Sequence, residues 1–495
     1  MPVLGSPKKT ATLQGKVSKV VKNVKQWERA NPGEAHFMER VRTSAFGPKT
    51  KALAEKFVKY ESFGNVGWGM FGEVPPIIEK GEGSYLFDAD GKKYIDMLSS
   101  LSVSQFGHNI PEITQIIAEQ SKKLIHHFDF PHPQRIKLSE KLCKLSGISG
   151  DNKVAFGVTG SDAIEVAIRA ARYFTGKPYI LTPYGDYHGF TYGTAALSGK
   201  GGLRQYFYPV TPTAAVEYFY FPHEYRKPDD EFPGFGMETI KTFERLLEGG
   251  ENVMSNGVDS NNVAAVVVEP FQSSAGYYIP PRDYLKEIRR ICNKFGFIMI
   301  IDEIQTGLGR SGKLWAYEHS DIEPDIICTS KALGGGLPIS AAVGRAEYFS
   351  AWGPASHINT QAGNVLACAA ANFILDKVSS RECLDKVNET GAHLFAGLKA
   401  LQDRHPIIGW IDNIGVYTGI ELVKDRKTKE PVTAEVSAFV RDEAVRQGLI
   451  FERGGYFASR ISLIPALHMP KEVIDEAMVI FDKVFTTTEE KYNIG

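Results

Sequence analysis

The sequence predicts an α/β protein: a large domain around a mostly parallel central sheet, with a smaller α+β domain built from both ends of the chain. Three observations predict it. Between about residues 152 and 342, short apolar runs of strand length alternate with stretches that keep apolar residues at helical spacing. Several runs, such as Val263–Val268 and Phe297–Ile301, are apolar at every position, so both of their faces are covered, as in a parallel sheet flanked by helices. The chain also has 495 residues, 43% of them hydrophobic, enough for a large core without disulfides or metal.

Each element has its own reason. The first thirty residues carry Lys8, Lys9, Lys16, Lys19, Lys22, Lys25 and Arg29 against Glu28 alone, and Val17, Val20, Val21 and Val24 form a stripe that fits one helix face. Residues 1–60 are therefore expected to be a basic helical extension, with an organelle transit segment as the other reading. No apolar h-region follows, so no secretory signal is expected. Gly83–Met97 reads as a hairpin turning at Ala89–Gly91. Lys153–Val158, Tyr179–Leu181, Val263–Val268, Phe297–Ile301 and Ile326–Cys328 are strands, and Asp162–Phe174 is a helix. Asp283 and Gly296 bracket another helix as N-cap and C-terminal stop. From Asn372 onward helical patterns alternate with short strand-like runs. The expected organisation is 61–105 and 372–495 as the two parts of the small domain and 106–371 as the large one.

Charge and cysteine usage narrow the class. With 57 basic against 58 acidic side chains, the net charge of −1 speaks against a global nucleic-acid or membrane binder. No apolar run reaches the roughly 20 residues of a membrane helix. Cys143, Cys292, Cys328, Cys368 and Cys383 are odd in number, scattered, and read as reduced, packed thiols of a cytoplasmic protein.

Four constellations carry chemistry. Asp302 follows the apolar strand Phe297–Ile301, at the carboxyl end where open α/β sheets place ligands. A carboxylate there needs a cationic partner; a helix cap or structural ion pair is the alternative. Lys331 follows the strand Ile326–Cys328 and precedes Gly334-Gly335-Gly336, so its amine can be tuned toward Schiff-base chemistry, unless it is a solvated surface charge. Val158-Thr159-Gly160-Ser161-Asp162 is a strand–turn–helix junction whose N–H groups suit a phosphate or an ordinary cap. Asp186-Tyr187-His188-Gly189-Phe190 offers aromatics after a strand, for stacking or as plain loop. A competing signal, Gly307-Leu308-Gly309-Arg310-Ser311-Gly312, matches the dinucleotide fingerprint. Five residues separate it from its strand and no clear helix pattern follows.

Asp302-Glu303-Ile304-Gln305-Thr306-Gly307-Leu308-Gly309-Arg310, followed by Ser330-Lys331, resembles the class III, fold-type I, pyridoxal-phosphate-dependent aminotransferases, especially those of omega-amino acids and amines. Asp88-Ala89-Asp90-Gly91, Phe106-Gly107-His108-Asn109, Thr159-Gly160-Ser161-Asp162-Ala163, Tyr187-His188-Gly189, Glu269-Pro270 and Thr360 with Gly363-Asn364 extend the resemblance through all but about the first sixty residues. It implies pyridoxal 5′-phosphate as cofactor, with Lys331 forming the Schiff base and shuttling the proton. Asp302 would hold the pyridine nitrogen protonated. Gly160 and Ser161 would bind the phosphate, with Thr360 reaching it from a partner subunit. Tyr187 would stack on the ring, with His188 beside it, and Gln305 would lie near the 3-hydroxyl. A homodimer or higher homo-oligomer with shared sites is implied. So is an aminotransferase moving an amino group from an amine or amino acid to pyruvate or 2-oxoglutarate.

The chain departs from that family at its substrate clamp. Many members read Arg-x-x-Pro-Pro-Leu near the C-terminus, whereas this chain reads Arg460-Ile461-Ser462-Leu463-Ile464-Pro465-Ala466-Leu467. Ser462 stands where the arginine is expected, and in a strand Arg460 shares its face. Arg453, flanked by Gly454-Gly455, resembles the mobile arginine of amine:pyruvate members; each arginine is either a substrate ligand or a surface charge. Glu269, which pairs with the clamp in some relatives, needs another partner. Amino-acid racemases, epimerases and aminomutases on the same scaffold, with the same Lys and Asp, are the main alternative. A nicotinamide-dependent oxidoreductase reading Gly307–Gly312 and a cofactor-free binding protein are the others.

Overall fold

The computed structural model describes residues 34–65, 74–199, 215–225, 236–249 and 259–495; the valine stripe at Val17–Val24 lies outside the described residues. Seven strands form the central sheet: β1 (Asn152–Gly157), β2 (Tyr179–Pro183), β3 (Val216–Phe219), β4 (Val263–Val268), β5 (Ile298–Asp302), β6 (Ile326–Thr329) and β7 (Ser340–Arg345). Their order is β1-β7-β6-β5-β4-β2-β3. From β6 through β3 neighbours run parallel, while β7 is antiparallel to both β6 and β1. Every residue of β4 and β5 is buried, which the unbroken apolar runs required. β3 and β7 have no such run. Val216–Phe219 contains a glutamate, and Ser340–Arg345 is Ser-Ala-Ala-Val-Gly-Arg, whose small residues fill a tight space between two strands rather than advertising β propensity.

Helix α1 (Gly160–Thr175) packs on β7, β1, β6 and β4, burying its Ala163, Ile164, Val166, Ala167, Ile168, Ala170 and Ala171 face. Helix α2 (Tyr284–Phe295) stops at Gly296, whose φ of +72° is the left-handed conformation a side chain would resist. Beyond helices α3 (Val365–Val378) and α4 (Arg381–Arg404) lies an antiparallel sheet made of β8 (Ile408–Ile414), β9 (Tyr417–Asp425), β11 (Glu452–Gly454) and β12 (Arg460–Leu463), in the order β8-β9-β12-β11. The two-residue strand β10 (Leu449–Ile450) pairs in parallel with Lys93–Asp96. Helices α5 (Ala434–Gln447) and α6 (Lys471–Tyr492) close a second apolar core with this layer, around Leu394, Leu422, Phe451, Ile461, Phe481 and Phe485.

The chain falls into two compact units, Met1–Lys80 with Phe87–Lys92, and Gly81–Leu86 with Lys93–Gly495. In the first, helices Glu34–Thr43 and Pro48–Tyr60 meet at Phe37, Val41 and Ala54. Asp90, in the predicted turn, accepts the N–H groups of Lys49 (3.0 Å) and Thr50 (2.9 Å) and so caps the second helix. The turn itself closes with Gly91 donating to the Asp88 carbonyl at 2.9 Å. All five cysteines are unpaired and four are buried. Among the described residues no helix is long and apolar enough to cross a membrane.

Candidate active site

The carboxyl ends of β4, β5 and β6 lie side by side, and each delivers one ionisable side chain: Glu269 follows β4, Asp302 ends β5, and Lys331 comes two residues after β6. They meet at a cavity of about 210 Å³. Eight of the eleven site residues read from the sequence line it, namely Gly160, Ser161, Tyr187, His188, Glu269, Asp302, Gln305 and Lys331.

Its floor is the N-terminus of α1. Thr159 Oγ1 accepts the Asp162 N–H at 3.2 Å, and Asp162 Oδ2 accepts the Thr159 N–H at 2.9 Å and that of Val158 at 2.8 Å. This reciprocal cap fixes the first turn, whose Gly160 and Ser161 N–H groups have no acceptor within the helix. Gly189, at φ +132°, lets the aromatic loop approach: a Cβ there would collide with Ser161 Oγ. Phe190 N–H donates to that Oγ at 3.3 Å, and the Phe190 ring meets the Tyr187 ring edge-on at 5.8 Å.

Asp302 is 4% exposed and held on both oxygens. Oδ1 accepts the Ile304 N–H at 3.0 Å, and Oδ2 lies 2.8 Å from His188 Nδ1. A carboxylate only accepts, so Nδ1 carries the proton, and His188 Nε2 turns to Thr182 Oγ1 at 3.2 Å. His188, expected from the sequence beside the cofactor, holds Asp302 through this contact. Asp186 lies 3.9 Å from the same ring, and burial pushes its carboxyl well above the usual range.

Glu269 needs no arginine. Oε1 accepts the Tyr187 N–H at 2.6 Å, and Oε2 accepts both the Ser273 N–H at 2.9 Å and the Ser273 hydroxyl. Burial first, and the nearby Asp302 charge second, push it up to about 7. Lys331 sits at φ +36° in a tight turn and donates to Gln305 Oε1 at 3.4 Å; burial lowers its amine below the usual lysine range.

Three predicted residues are not brought to the cavity. Thr360 is on an exposed turn, its carbonyl 2.8 Å from His126 Nε2. Arg453 donates to the Ala434 carbonyl and Ser437 Oγ at the start of α5, each at 3.1 Å. Arg460 is fully buried and pairs with Asp412 (2.7 Å) and Glu421 (3.3 Å). The fingerprint Gly307–Gly312 is an internal loop in which Gly309 N–H bonds the Leu314 carbonyl at 3.1 Å, and a 3-10 turn at Ala316–Ser320 follows it. Thr159, Gly189 and Ile304, each inside one of the sequence motifs, also line the cavity, as does Ser273, which had no sequence signal.

The class-III aminotransferase family model matches residues 71–485. The chain is 34% identical over 417 residues to isoleucine 2-epimerase of Lentilactobacillus buchneri, covering 83% of this chain and 90% of that one. It is 34% identical over 423 residues to leucine/methionine racemase of Thermococcus litoralis, covering 84% and 92%. A crystal structure of a Bacillus anthracis aminotransferase superposes with a TM-score of 0.79 at 28% identity, covering 90% of this chain and all of that one.

Proposed function

The chain belongs to the class-III aminotransferase family, and from that premise we propose that it is a pyridoxal-phosphate-dependent amino-acid racemase or epimerase. The family's cofactor is pyridoxal 5′-phosphate, and the residues present fit it. A capped helix N-terminus supplies N–H donors for the phosphate, Tyr187 supplies an aromatic wall, and a carboxylate and an amine share one cavity. Gly160 and Ser161 would hold the phosphate, Asp302 the protonated ring nitrogen, and Lys331 the aldehyde carbon. When bound, the cofactor supplies an electron-accepting ring for the pair left on the substrate carbon after its proton departs.

One observation carries the reading: two proton carriers flank Asp302. In the sheet order β6-β5-β4, Lys331 and Glu269 stand on the strands either side of it. Those strands are about 10 Å apart at a spacing of about 4.8 Å per strand. Burial moves the amine toward its neutral form and the carboxyl toward its protonated form. A group shifted toward its basic form on one flank therefore stands across from one shifted toward its acidic form on the other. Lys331 Nζ takes the α-proton from one side of the substrate carbon, and the Glu269 carboxyl gives a proton from the other. The product has inverted configuration; the amine now holds one proton more and the carboxylate one fewer. The reverse passage with the opposite enantiomer restores both. The names of the two relatives, an epimerase and a racemase of aliphatic amino acids, support a substrate of that kind.

The test uses single-enantiomer leucine, isoleucine, methionine and alanine with the loaded protein and no keto acid. Loss of chirality is expected, and Glu269→Gln should slow it by about a hundredfold or more while still exchanging the α-proton for deuterium with retention. Turnover only when pyruvate or 2-oxoglutarate is added would favour the second reading, an aminotransferase, which the family name and the Bacillus anthracis structure support. A homodimer is part of the proposal. Ile125, Phe128, Phe130 and Ile136 are exposed, as is Ile358 near Thr360, and His126 and His127 tie the segment to the Thr360–Gly363 turn through its carbonyls at 2.8 and 2.9 Å. A monomer by light scattering would remove that part.

A further inference from the structure

Tyr277 is fully buried and has a φ of +58°, a left-handed backbone that an L side chain resists. A strained residue persists only where its surroundings over-determine it, and here three groups do so. Arg460 Nε donates to the Gly276 carbonyl at 2.6 Å and Arg460 Nη2 to the Tyr277 carbonyl at 3.1 Å. The guanidinium itself is fixed by Asp412 and Glu421 and lies 3.9 Å over the Tyr278 ring. Gly419 leaves the room: a Cβ there would collide with Arg460 Nη2 and with the Tyr277 carbonyl, and would stand 2.7 Å from that of Gly276. Finally, the Tyr277 ring stacks on Tyr417 at 4.3 Å and 10°, and the Tyr417 hydroxyl is held by the Gln272 carbonyl at 3.0 Å.

The hydroxyl so presented stands 2.6 Å from Gln305 Nε2, while Gln305 Oε1 faces Lys331 Nζ at 3.4 Å. The two hydrogen bonds give this chain a direction. The Lys331 amine keeps N–H donors in either protonation state, so the amide oxygen faces Lys331, the amide nitrogen faces away, and the tyrosine oxygen accepts from it. Burial holds the Tyr277 phenol well above its usual range, so it stays neutral throughout.

We infer that Tyr277 is a positioning residue for Lys331, acting through Gln305: its hydroxyl locks the amide with the oxygen toward the lysine, and the buried Arg460 holds the strained turn that presents it. Without that hydroxyl the amide is free to turn over and set N–H against N–H. The inference deepens the proposed reading of the cavity and rests on it.

Tyr277→Phe keeps the ring stack and removes only the acceptor. In the cofactor-loaded protein it should lower kcat at least about tenfold with KM within about twofold. The pH midpoint of the visible absorption of the lysine-bound cofactor should move by about half a unit or more. Thermal stability should stay close to that of the wild type. In a Gln305→Leu background the same substitution should change kcat and the absorption midpoint by less than about twofold and a few tenths of a unit, because the path is already cut. Additive effects of the two substitutions, or a Tyr277→Phe protein with unchanged kcat and absorption midpoint, would overturn the inference while leaving the cavity's function standing. A wild-type chain that takes up no pyridoxal phosphate would overturn the reading of the cavity and the inference together.

Discussion

Asp302 and Glu303 are neighbours in sequence, yet Asp302 has His188 as a partner and Glu303 has no basic side chain, and Glu303→Gln tests what that absence does. Glu303 is 1% exposed, with no basic side chain among its partners: Oε1 accepts the Tyr317 N–H at 2.9 Å and Oε2 the Thr306 hydroxyl at 2.6 Å. Burial is the largest influence and pushes it from 4.5 up to about 7. The folded protein therefore keeps a proton between about pH 4.5 and 7 that the unfolded chain has already lost. Its unfolding free energy falls as pH rises through that window. The gap from 4.5 to about 7, at about 1.36 kcal/mol per pH unit, amounts to about 3 kcal/mol, fully felt above pH 7. Glutamine keeps the shape without the titration. Its oxygen accepts from Tyr317, and its amide donates to Thr306 Oγ1 once that hydroxyl turns. Urea unfolding of both proteins, at about pH 5 and about pH 8.5, should show near-equal stability at the lower pH and the variant ahead by about 3 kcal/mol at the higher. Cofactor absorption and turnover should be retained. A gap that does not widen with pH would refute the assignment of Glu303 as a buried neutral acid.

The cavity itself yields three further outcomes. Lys331→Ala should abolish the visible absorption of lysine-linked cofactor and lower turnover by about 10²–10⁴ or more, read by spectrophotometry and chiral chromatography. Asp302→Ala leaves the phosphate cradle intact, so the protein should retain some cofactor but lose about 10²–10³ in kcat; near-normal activity would remove Asp302 from the chemistry. Gly189→Ala, by pushing Ser161 off its position, should weaken cofactor binding by about 1–3 kcal/mol, roughly tenfold to a hundredfold in a fluorescence titration, with a smaller effect on kcat.

The parallel sheet was legible because burial on both faces leaves a one-dimensional trace: Val263–Val268 is a strand over the very residues that the apolar run spans. The capped start of α1 was legible for a similar reason, since a cap and the glycine beside it are local in sequence. Helix α2 likewise begins after Asp283, although the Asp283 side chain makes no capping hydrogen bond, and ends at the left-handed Gly296. Strand β7 was not legible, because its identity depends on fitting antiparallel between β1 and β6.

The arginines mark the sharper boundary. Arg460 and Ser462 do share a strand, but a strand's face says nothing of what stands opposite. In the register of β9 and β12, Glu421 faces Arg460, and Asp412 on β8 faces Gly419 on β9, so two carboxylates converge on one guanidinium from strands 39 and 48 residues away. A buried cation is costly unless so paired, and once paired it has no charge to offer a substrate. The same pairing explains Glu269. Where a relative would use a glutamate to hold a clamp, this chain gives that carboxyl two backbone N–H groups and a hydroxyl instead. Burial and the nearby Asp302 charge push that carboxyl up to about 7 on the cavity wall, the range in which the proposed proton donor would work. What Arg460 can offer a substrate thus turns on its pairing across β8, β9 and β12, and that pairing is a matter of strand register, which no local pattern encodes.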